Sequence, residues 1–393
     1  MVLVTCSGKD SPGITSQLTG VLARHQLEIL DIGQSVLHGW LSLSVLFDSS
    51  GASASIEGAR KELEAMGRER GLSIETRPFL GSPALMGRAY RYAVTLISSK
   101  LTAQALHAVT DVLARHRVNI DVIERLSEGE FACVELLISS QAELDRRSLK
   151  HEILSAARTE GVDLALQAEG LYRRTKRLVV FDMDSTLIQG EIIDEFARKL
   201  GRYEEVAKIT SEAMHGKLQF SEALTRRVKL LKGLSQAQIE EVFKETRLTP
   251  GANDLIQVLK QLGYKIAIIS GGFACIADKL KASLQLDYAY ANHLVMVQGT
   301  ATGEVTAPII DAQRKADLLE LIAQQEGIQL DQVIAIGDGA NDLLMIEKAG
   351  LGVAFNAKPA LNERADLALS QKSLRSVLYL LGLSGRDVAE VLA

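Results

Sequence analysis

The feature that most restricts the fold of this chain is a repeat within it. The segment VLARHQLEILDIGQSV from Val21 is echoed by VLARHRVNIDVIERL from Val112, an offset of 91 residues. That period is too long for a solenoid unit and suits tandem small domains. Each copy reads strand, helix, strand, strand, helix, strand. In the first copy Val2–Cys6 is an apolar strand, and Gly13–His25 is a helix with Pro12 at its start. Leu27–Val36 and Trp40–Phe47 form a hairpin across His38-Gly39. An amphipathic helix from about Ser55 to Arg70 and a last strand, Leu72–Arg77, complete the unit. The second copy runs from Tyr92 to about Ala168, and FLGSPALMGRA, with Pro83 and two glycines, links the two. A βαββαβ module of about 75 residues is a ferredoxin-like fold. That fold alone says little about function.

From Leu178 the pattern changes to strands alternating with helices, as in a parallel α/β sheet. The strands expected are Leu178–Met183, Lys265–Ser270, Val333–Gly337 and Gly352–Phe355. Each is a short apolar run, as strands buried on both faces require. Glu191 to Leu248 is charged and helical, and far longer than the dozen or so residues of a crossover. It is therefore expected to be mainly a helical cap inserted over the strand ends. The fold class is α/β: a Rossmann-like parallel sheet with an inserted helical cap, preceded by two ferredoxin-like βαββαβ domains. The expected domains are residues 1–80, 90–168 and 177–393, with the cap at about 190–248. An apolar content of 47% supplies material for such cores.

Several functions are disfavoured. A formal net charge of −5 lacks the basic surplus of a general nucleic-acid binder. The basic cluster Arg173, Arg174, Lys176 and Arg177 reads as a solvated linker. Cys6, Cys133 and Cys275 lie far apart with no CxxC, and are expected as buried reduced thiols. The histidines form no HExxH or HxxxH, so zinc is disfavoured. The start MVLVTCSGKD has no charged leader, and no apolar run reaches membrane-spanning length. The expectation is a soluble, cytoplasmic protein with no nucleic-acid or membrane partner.

In an open α/β sheet, ligands bind at the carboxyl ends of the strands. Three of those ends carry reactive groups: Asp182 and Asp184, then Ser270-Gly271-Gly272, then Asp338 through Asp342 in DGAND. Lys315 falls on a helix between the last two. Taken singly, each has an ordinary reading as helix cap, tight turn or solvated lysine. GDGAND also lacks the third glycine of a dinucleotide loop.

In this order, DMDST, SGG, Lys315 and GDGAND resemble the four motifs of the haloacid dehalogenase-like phosphohydrolases. Having both Asp182 and Asp184 is similar to the phosphatase branch of that superfamily. The resemblance implies that Asp182 is the nucleophile and passes through an aspartyl-phosphate. A carboxylate is already ionised at neutral pH and needs no base. It implies Mg2+ held by Asp182, the Asp184 carbonyl and Asp338, with Asp342 orienting a metal-bound water. Ser270 and Lys315 would hold the phosphoryl oxygens. Asp184 would protonate the leaving alkoxide and later deprotonate water, its pKa raised by the neighbouring carboxylate.

The runs DSTLIQGEIIDEFA and EAMHGKLQFSEALTRRVKLLKGL closely resemble the phosphoserine phosphatases. By that resemblance Glu191 binds the substrate ammonium and Arg227 its carboxylate, though Arg226 is adjacent. Met214 and Phe220 would wall the pocket, and Gly271 and Asn341 would contact the phosphate or its surroundings. The implied reaction is hydrolysis of O-phospho-L-serine, the last step of serine synthesis. Competing readings are transfer to homoserine instead of water, a different small phosphomonoester, or a sensor with a vestigial phosphatase domain. The intact set of motif residues argues against the last of these.

The loop GKDSPG resembles the ligand loop of ACT domains, the amino-acid-sensing modules of metabolic enzymes. That implies a regulatory amino acid, serine or a relative, at Asp10 and Gly13, set against a plain turn and cap. The second copy has SSKLTAQ in that place, which departs from the pattern and points to a structural role or half of a shared site. The resemblance further implies a homodimer formed through these domains.

Overall fold

The computed structural model describes residues 1–48, 53–79, 90–127, 131–173, 175–214, 218–362 and 364–392. Beyond Phe79, the expected linker FLGSPALMGRA lies outside the described residues. The chain divides into two units, Met1–Arg88 and Ala89–Ala393.

In the first unit, strands Val2–Lys9, Ile29–Leu37, Trp40–Phe47 and Ser73–Pro78 form an antiparallel sheet. The helices Ile14–Arg24 and Ser53–Arg70 complete the expected βαββαβ order. Alternate strand residues Val4 and Cys6, and Leu43 and Val45, share a buried core with Leu18 and Leu22, spaced four apart, and with Leu63. His38 and Gly39 both take left-handed φ values, 48° and 77°, as a two-residue hairpin turn matched to strand twist demands. The strand Ile29–Leu37 is exposed along its length.

The second unit is built on one ten-stranded sheet. Its parallel half runs in the order Tyr288–Asn292, Lys265–Phe273, Leu178–Phe181, Val333–Gly337, Leu351–Phe355, Leu367–Leu369. The chain leaves the central strand Leu178–Phe181 towards one neighbour and returns on the other side. That is the switch point at which a crevice opens beyond the carboxyl ends.

The second ferredoxin-like module continues this sheet. Its strand Asp163–Ala168 pairs antiparallel with Leu367–Leu369 at Ala165 and Leu367. The Asp163 carboxylate accepts hydrogen bonds from the Ser370 amide (2.8 Å), the Ser370 hydroxyl (2.8 Å) and the Gln371 amide (3.3 Å). Two short helices near the C-terminus, Ser376–Leu380 and Gly385–Leu392, bring Val377, Leu380 and Val388 into one core with Ile97, Cys133 and Ala165 of that module.

The basic cluster is not a solvated linker. Arg173 has a side chain only 2% exposed, and its two terminal nitrogens donate to both Glu135 oxygens at 2.8 and 3.0 Å. Lys176 is also buried and donates to the Asp331 carbonyl, while Arg177 stays exposed. Arg174 lies outside the described residues. The partner of Arg173 is 38 residues earlier in the chain, so a local charge run could not reveal it. Removing one member of such a buried pair typically costs about 3–5 kcal/mol. The cysteines are free; Cys6 and Cys133 are buried, and Cys275 partly so. Burial pushes the thiols of Cys133 and Cys275 up to about 12, so both stay protonated and inert.

The inserted cap consists of helices Ile192–Lys199, Tyr203–Met214, Phe220–Lys229 and Gln236–Glu245. Its two crossings to the core are stitched together by the antiparallel bridge between Ile188 and Leu248. The Thr249 hydroxyl adds a bond to the Thr186 carbonyl at 2.7 Å. Phe196 of the cap packs on Phe273 of the core with ring centroids 5.5 Å apart, worth about 1 kcal/mol beyond the area it buries. An unanticipated hairpin, Leu294–Val297 with Thr300–Val305, braces the cap through paired bonds between Gly233 and Ala301 and between Ala301 and Leu234. Among the described residues no helix is long and apolar enough to cross a membrane.

Candidate active site

A cavity of about 800 Å³ lies at the carboxyl ends of the central strands, beneath the cap. Each reactive group is set there by local backbone geometry. The strand Leu178–Phe181 ends at Asp182, whose amide still bonds the Ile336 carbonyl at 2.8 Å. The chain then turns sharply, with Ser185 at a left-handed φ of 56°. This turn buries Asp184 against the first cap helix, where its Oδ1 accepts the Ile192 amide at 2.9 Å. The SGG motif is needed for close approach. A side chain at Gly272 would put its first carbon 2.4 Å from Asp184 Oδ2, and one at Gly271 would meet the Phe220 ring at 2.7 Å. Asn292 fixes that loop, donating to the Gly271 carbonyl at 2.8 Å and accepting the Ile310 amide at 2.9 Å.

Lys315, on the helix Ala312–Gln325, is completely buried and bonds both Asp182 Oδ1 and Asp342 Oδ1 at 2.6 Å. It does not line the cavity but lies beneath its floor, with two of its three donors already engaged. Burial works against its charge, yet the two carboxylates outweigh this and hold its pKa above the ordinary lysine value.

Burial, then the Asp342 charge, pushes Asp182 up to about 8. Burial, with Asp342 and Glu191 adding to it, pushes Asp338 up to about 7. Asp184 is raised well above the carboxylate range by burial first, then by Glu191 and Asp182. Carboxylates outnumber the single Lys315 ammonium here, so a further cation among them would offset their repulsion. Asp182, Asp338 and Asp342 each offer an oxygen, all within 4.8 Å of one another. The Asp184 carboxylate is outside that trio and engaged with the Ile192 amide. An all-oxygen donor set without His or Cys suits a hard divalent cation and not zinc.

The expected specificity residues converge on the same cavity. Glu191, Phe220, Arg227, Gly271 and Asn341 line it together with Asp182, Asp184, Ser270 and Asp338. Glu191 accepts the Ser185 hydroxyl at 2.9 Å. Its pKa is raised by burial and by Asp194, and moderated by Ser185, Lys358 and Arg227. The adjacent arginines differ in position: Arg227 lines the cavity and donates to Thr210 at 3.3 Å, while Arg226 is exposed and pairs with Glu222. Burial lowers the Arg227 pKa, against the raising influence of Glu191 and Asp194. Met214 ends the helix Tyr203–Met214, and its side chain lies outside the described residues.

In the first unit, Asp10 is exposed at the end of the strand Val2–Lys9, and its amide bonds the Gly39 carbonyl at 2.9 Å. Gly13, at φ 93°, precedes the helix Ile14–Arg24, which no side chain caps.

Sequence reasoning missed Lys358, Thr210 and Asn292. Lys358 lines the cavity just beyond the strand Leu351–Phe355, so the strand-end rule, extended to that fourth strand, would have found it. Asn292 follows the same rule at the end of Tyr288–Asn292. Thr210 sits mid-helix and carries no such signal.

Comparison with known proteins follows this division of the chain. A model of haloacid dehalogenase-like hydrolases matches residues 176–350, and ACT-domain models match residues 1–77 and 91–167. The phosphoserine phosphatase of Streptomyces coelicolor is 42% identical over 390 residues, covering 98% of this chain and 93% of that one. Phosphoserine phosphatase SerB2 of Mycobacterium tuberculosis is 40% identical over 392 residues, covering 98% and 94%. A solved phospho-aspartyl intermediate analogue of phosphoserine phosphatase is 47% identical. It covers 52% of this chain and 98% of its own, with a TM-score of 0.50.

Proposed function

This chain belongs to the phosphoserine phosphatase family, and we propose that it hydrolyses O-phospho-L-serine to L-serine and phosphate through an aspartyl-phosphate on Asp182. The observation that carries the reading is one cavity holding both halves of the chemistry. A nucleophile with a second buried carboxylate lies at its floor, and an opposed Glu191 and Arg227 lie along its wall. Glu191 takes the substrate ammonium and Arg227 forks its carboxylate, which brings the phosphoryl group to Asp182. The Asp182 carboxylate, whose charge burial opposes and the Lys315 ammonium favours, attacks phosphorus while Asp184, whose pKa burial raises, gives its proton to the departing serine oxygen. Asp184 then accepts a proton from the water that attacks the phosphoenzyme, releasing phosphate. The Ser270 hydroxyl accepts the Gly272 amide at 2.8 Å, which leaves its own proton to donate to a phosphoryl oxygen. Lys315 keeps Asp182 and Asp342 in place from beneath the floor, and its fixed positive charge lies next to the nucleophile. Asp182, Asp338 and Asp342, together with the Asp184 carbonyl, would hold a Mg2+ ion, whose positive charge would let one anion approach another.

The test is phosphate release from O-phospho-L-serine, expected with Mg2+ and absent in EDTA. In the same assay Arg227→Ala should lower kcat/KM by roughly 100-fold or more, since the substrate carboxylate then enters the cavity unpaired. Arg226→Ala should stay within about twofold of the parent, as a surface pair contributes little. Equal losses for both arginines would overturn the assignment.

The ACT regions at the front support regulation by an amino acid, and we place one effector site at Asp10 and Gly13. Cytoplasmic residence fits a soluble biosynthetic enzyme. The exposed apolar side chains of Ile32 (47%), Val36 (46%) and Trp40 (62%) support a homodimer formed through these regions. Sedimentation velocity should give twice the chain mass, and a monomer at micromolar concentration would exclude it.

A further inference from the structure

Asn292 is only 2% exposed and does not line the catalytic cavity. Both ends of its side-chain amide nevertheless reach segments that carry catalytic residues. Nδ2 donates to the Gly271 carbonyl at 2.8 Å, and Oδ1 accepts the Ile310 amide at 2.9 Å. Ile310 directly precedes Asp311, whose side chain caps the helix Ala312–Gln325 by accepting the Arg314 amide at 2.9 Å. That helix carries Lys315.

The strand pairing explains why a side chain is used there. Lys265–Phe273 and Tyr288–Asn292 keep parallel register as far as Ile269 and Tyr290, and meet again at Phe273 and Asn292. Between those points one strand contributes Ser270, Gly271 and Gly272, and the other only Ala291. The longer stretch bulges out of the ladder, as strands often do beside a site. Asn292 ties it down at the next paired position. Within the bulge, the peptide unit joining Gly271 to Gly272 is held at both ends. Its C=O accepts from Asn292, and its N–H donates to Ser270 Oγ at 2.8 Å. A planar trans peptide points these two groups in opposite directions, so fixing the oxygen aims the N–H. The N–H in turn occupies a lone pair of the Ser270 oxygen and limits where its hydroxyl proton can point.

We propose that Asn292 is a positioning residue for phosphoryl transfer, holding the Ser270 hydroxyl towards the phosphoryl group through the Gly271–Gly272 peptide. The two glycines are required because the loop approaches Phe220 and Asp184 too closely for a side chain. They also leave its backbone the freest to rotate. The loop therefore cannot keep the orientation of that peptide unaided, and the buried amide of Asn292 supplies the missing constraint. Its second bond, to Ile310, fixes the same loop against the start of the Lys315 helix.

This inference rests on the reading of Ser270 as a donor to the phosphoryl group, and a double-mutant cycle on the full chain with Mg2+ separates the two. Asn292→Asp keeps an oxygen for the Ile310 amide and loses only the donor to Gly271. Its kcat on O-phospho-L-serine should fall by about 10-fold or more. KM should change by less than about threefold, because Glu191 and Arg227 still hold the serine moiety. Ser270→Ala should lose about 100-fold in kcat. The double variant should match Ser270→Ala within about twofold, since a residue that acts through another adds nothing once the other is gone. A purely structural Asn292 would instead multiply the two losses, and that result, or parent kcat in Asn292→Asp, would overturn the proposal. Asn292→Ala, which introduces no buried charge, is carried through the same cycle, with urea unfolding to confirm that each variant is folded in the assay. Parent kcat in Ser270→Ala would remove the donor role of Ser270 and the proposal with it. p-Nitrophenyl phosphate shares only the phosphoryl group with phosphoserine, so the same fold-losses are expected on it. If the chain released no phosphate from phosphoserine, the functional reading would fail, and the cycle on p-nitrophenyl phosphate would still decide the role of Asn292.

Discussion

Asp182→Asn turns over O-phospho-L-serine at roughly 10⁴-fold below the parent rate or less, and forms no acid-stable phosphoprotein. An amide has no anionic oxygen to offer phosphorus, so the covalent step is lost and only substrate binding remains. The fold should survive the change. Asp182 is buried, and burial together with the Asp342 charge already opposes its ionisation, pushing it up to about 8. Asparagine keeps the shape and retains an oxygen to accept the Lys315 bond that Asp182 accepts at 2.6 Å. The denaturant midpoint should therefore match or exceed that of the parent. Phosphate release, radiolabel trapped in acid-quenched protein, and urea unfolding together check this. A variant with full Mg2+-dependent turnover would remove Asp182 from the chemistry.

Lys315→Met is expected to cost both stability and activity. The ammonium is fully buried and bonds two carboxylates, so its removal leaves Asp182 and Asp342 facing each other uncompensated. Breaking a buried pair in this way costs about 3–5 kcal/mol in urea unfolding without metal. Mg2+ should recover part of the loss, because Asp182, Asp338 and Asp342 then share a different cation. Activity should fall by roughly 10²-fold or more even with Mg2+, since the floor of the site loses a fixed positive charge. Adding Asp182→Asn to this variant should restore stability without restoring turnover, as groups in direct contact are not additive. A Lys315→Met chain as stable as the parent in EDTA would show that the two carboxylates do not need this lysine.

The parts of the fold that were legible in sequence are those set by local pattern. Alternation in Val2–Lys9 and Trp40–Phe47, the four-residue spacing of Leu18 and Leu22, and the short apolar runs at Leu178 and Val333 each report burial within one element. Strand-end chemistry was legible for the same reason: Asp182, Ser270 and Asp338 each follow an apolar run directly. Lys358 escaped because the same rule was not carried to the strand Leu351–Phe355. The brace formed by Leu294–Val297 and Thr300–Val305 escaped because two short, half-exposed strands give little periodic signal.

The motif residues and their order were sufficient to propose a carboxylate nucleophile and a paired acid and to predict a helical insertion, since these depend on residue type and spacing. Which arginine enters the cavity, and where Lys315 rests, depended on helix rotation and depth, which spacing does not encode. The same is true of Arg173, whose charge cluster suggested solvent. Its buried Glu135 partner comes from the strand Ala132–Ser140, far earlier in the chain. A single sequence states which charges exist, but whether a charge is solvated, paired or catalytic is decided by the groups that distant segments bring beside it, and only the tertiary structure supplies those.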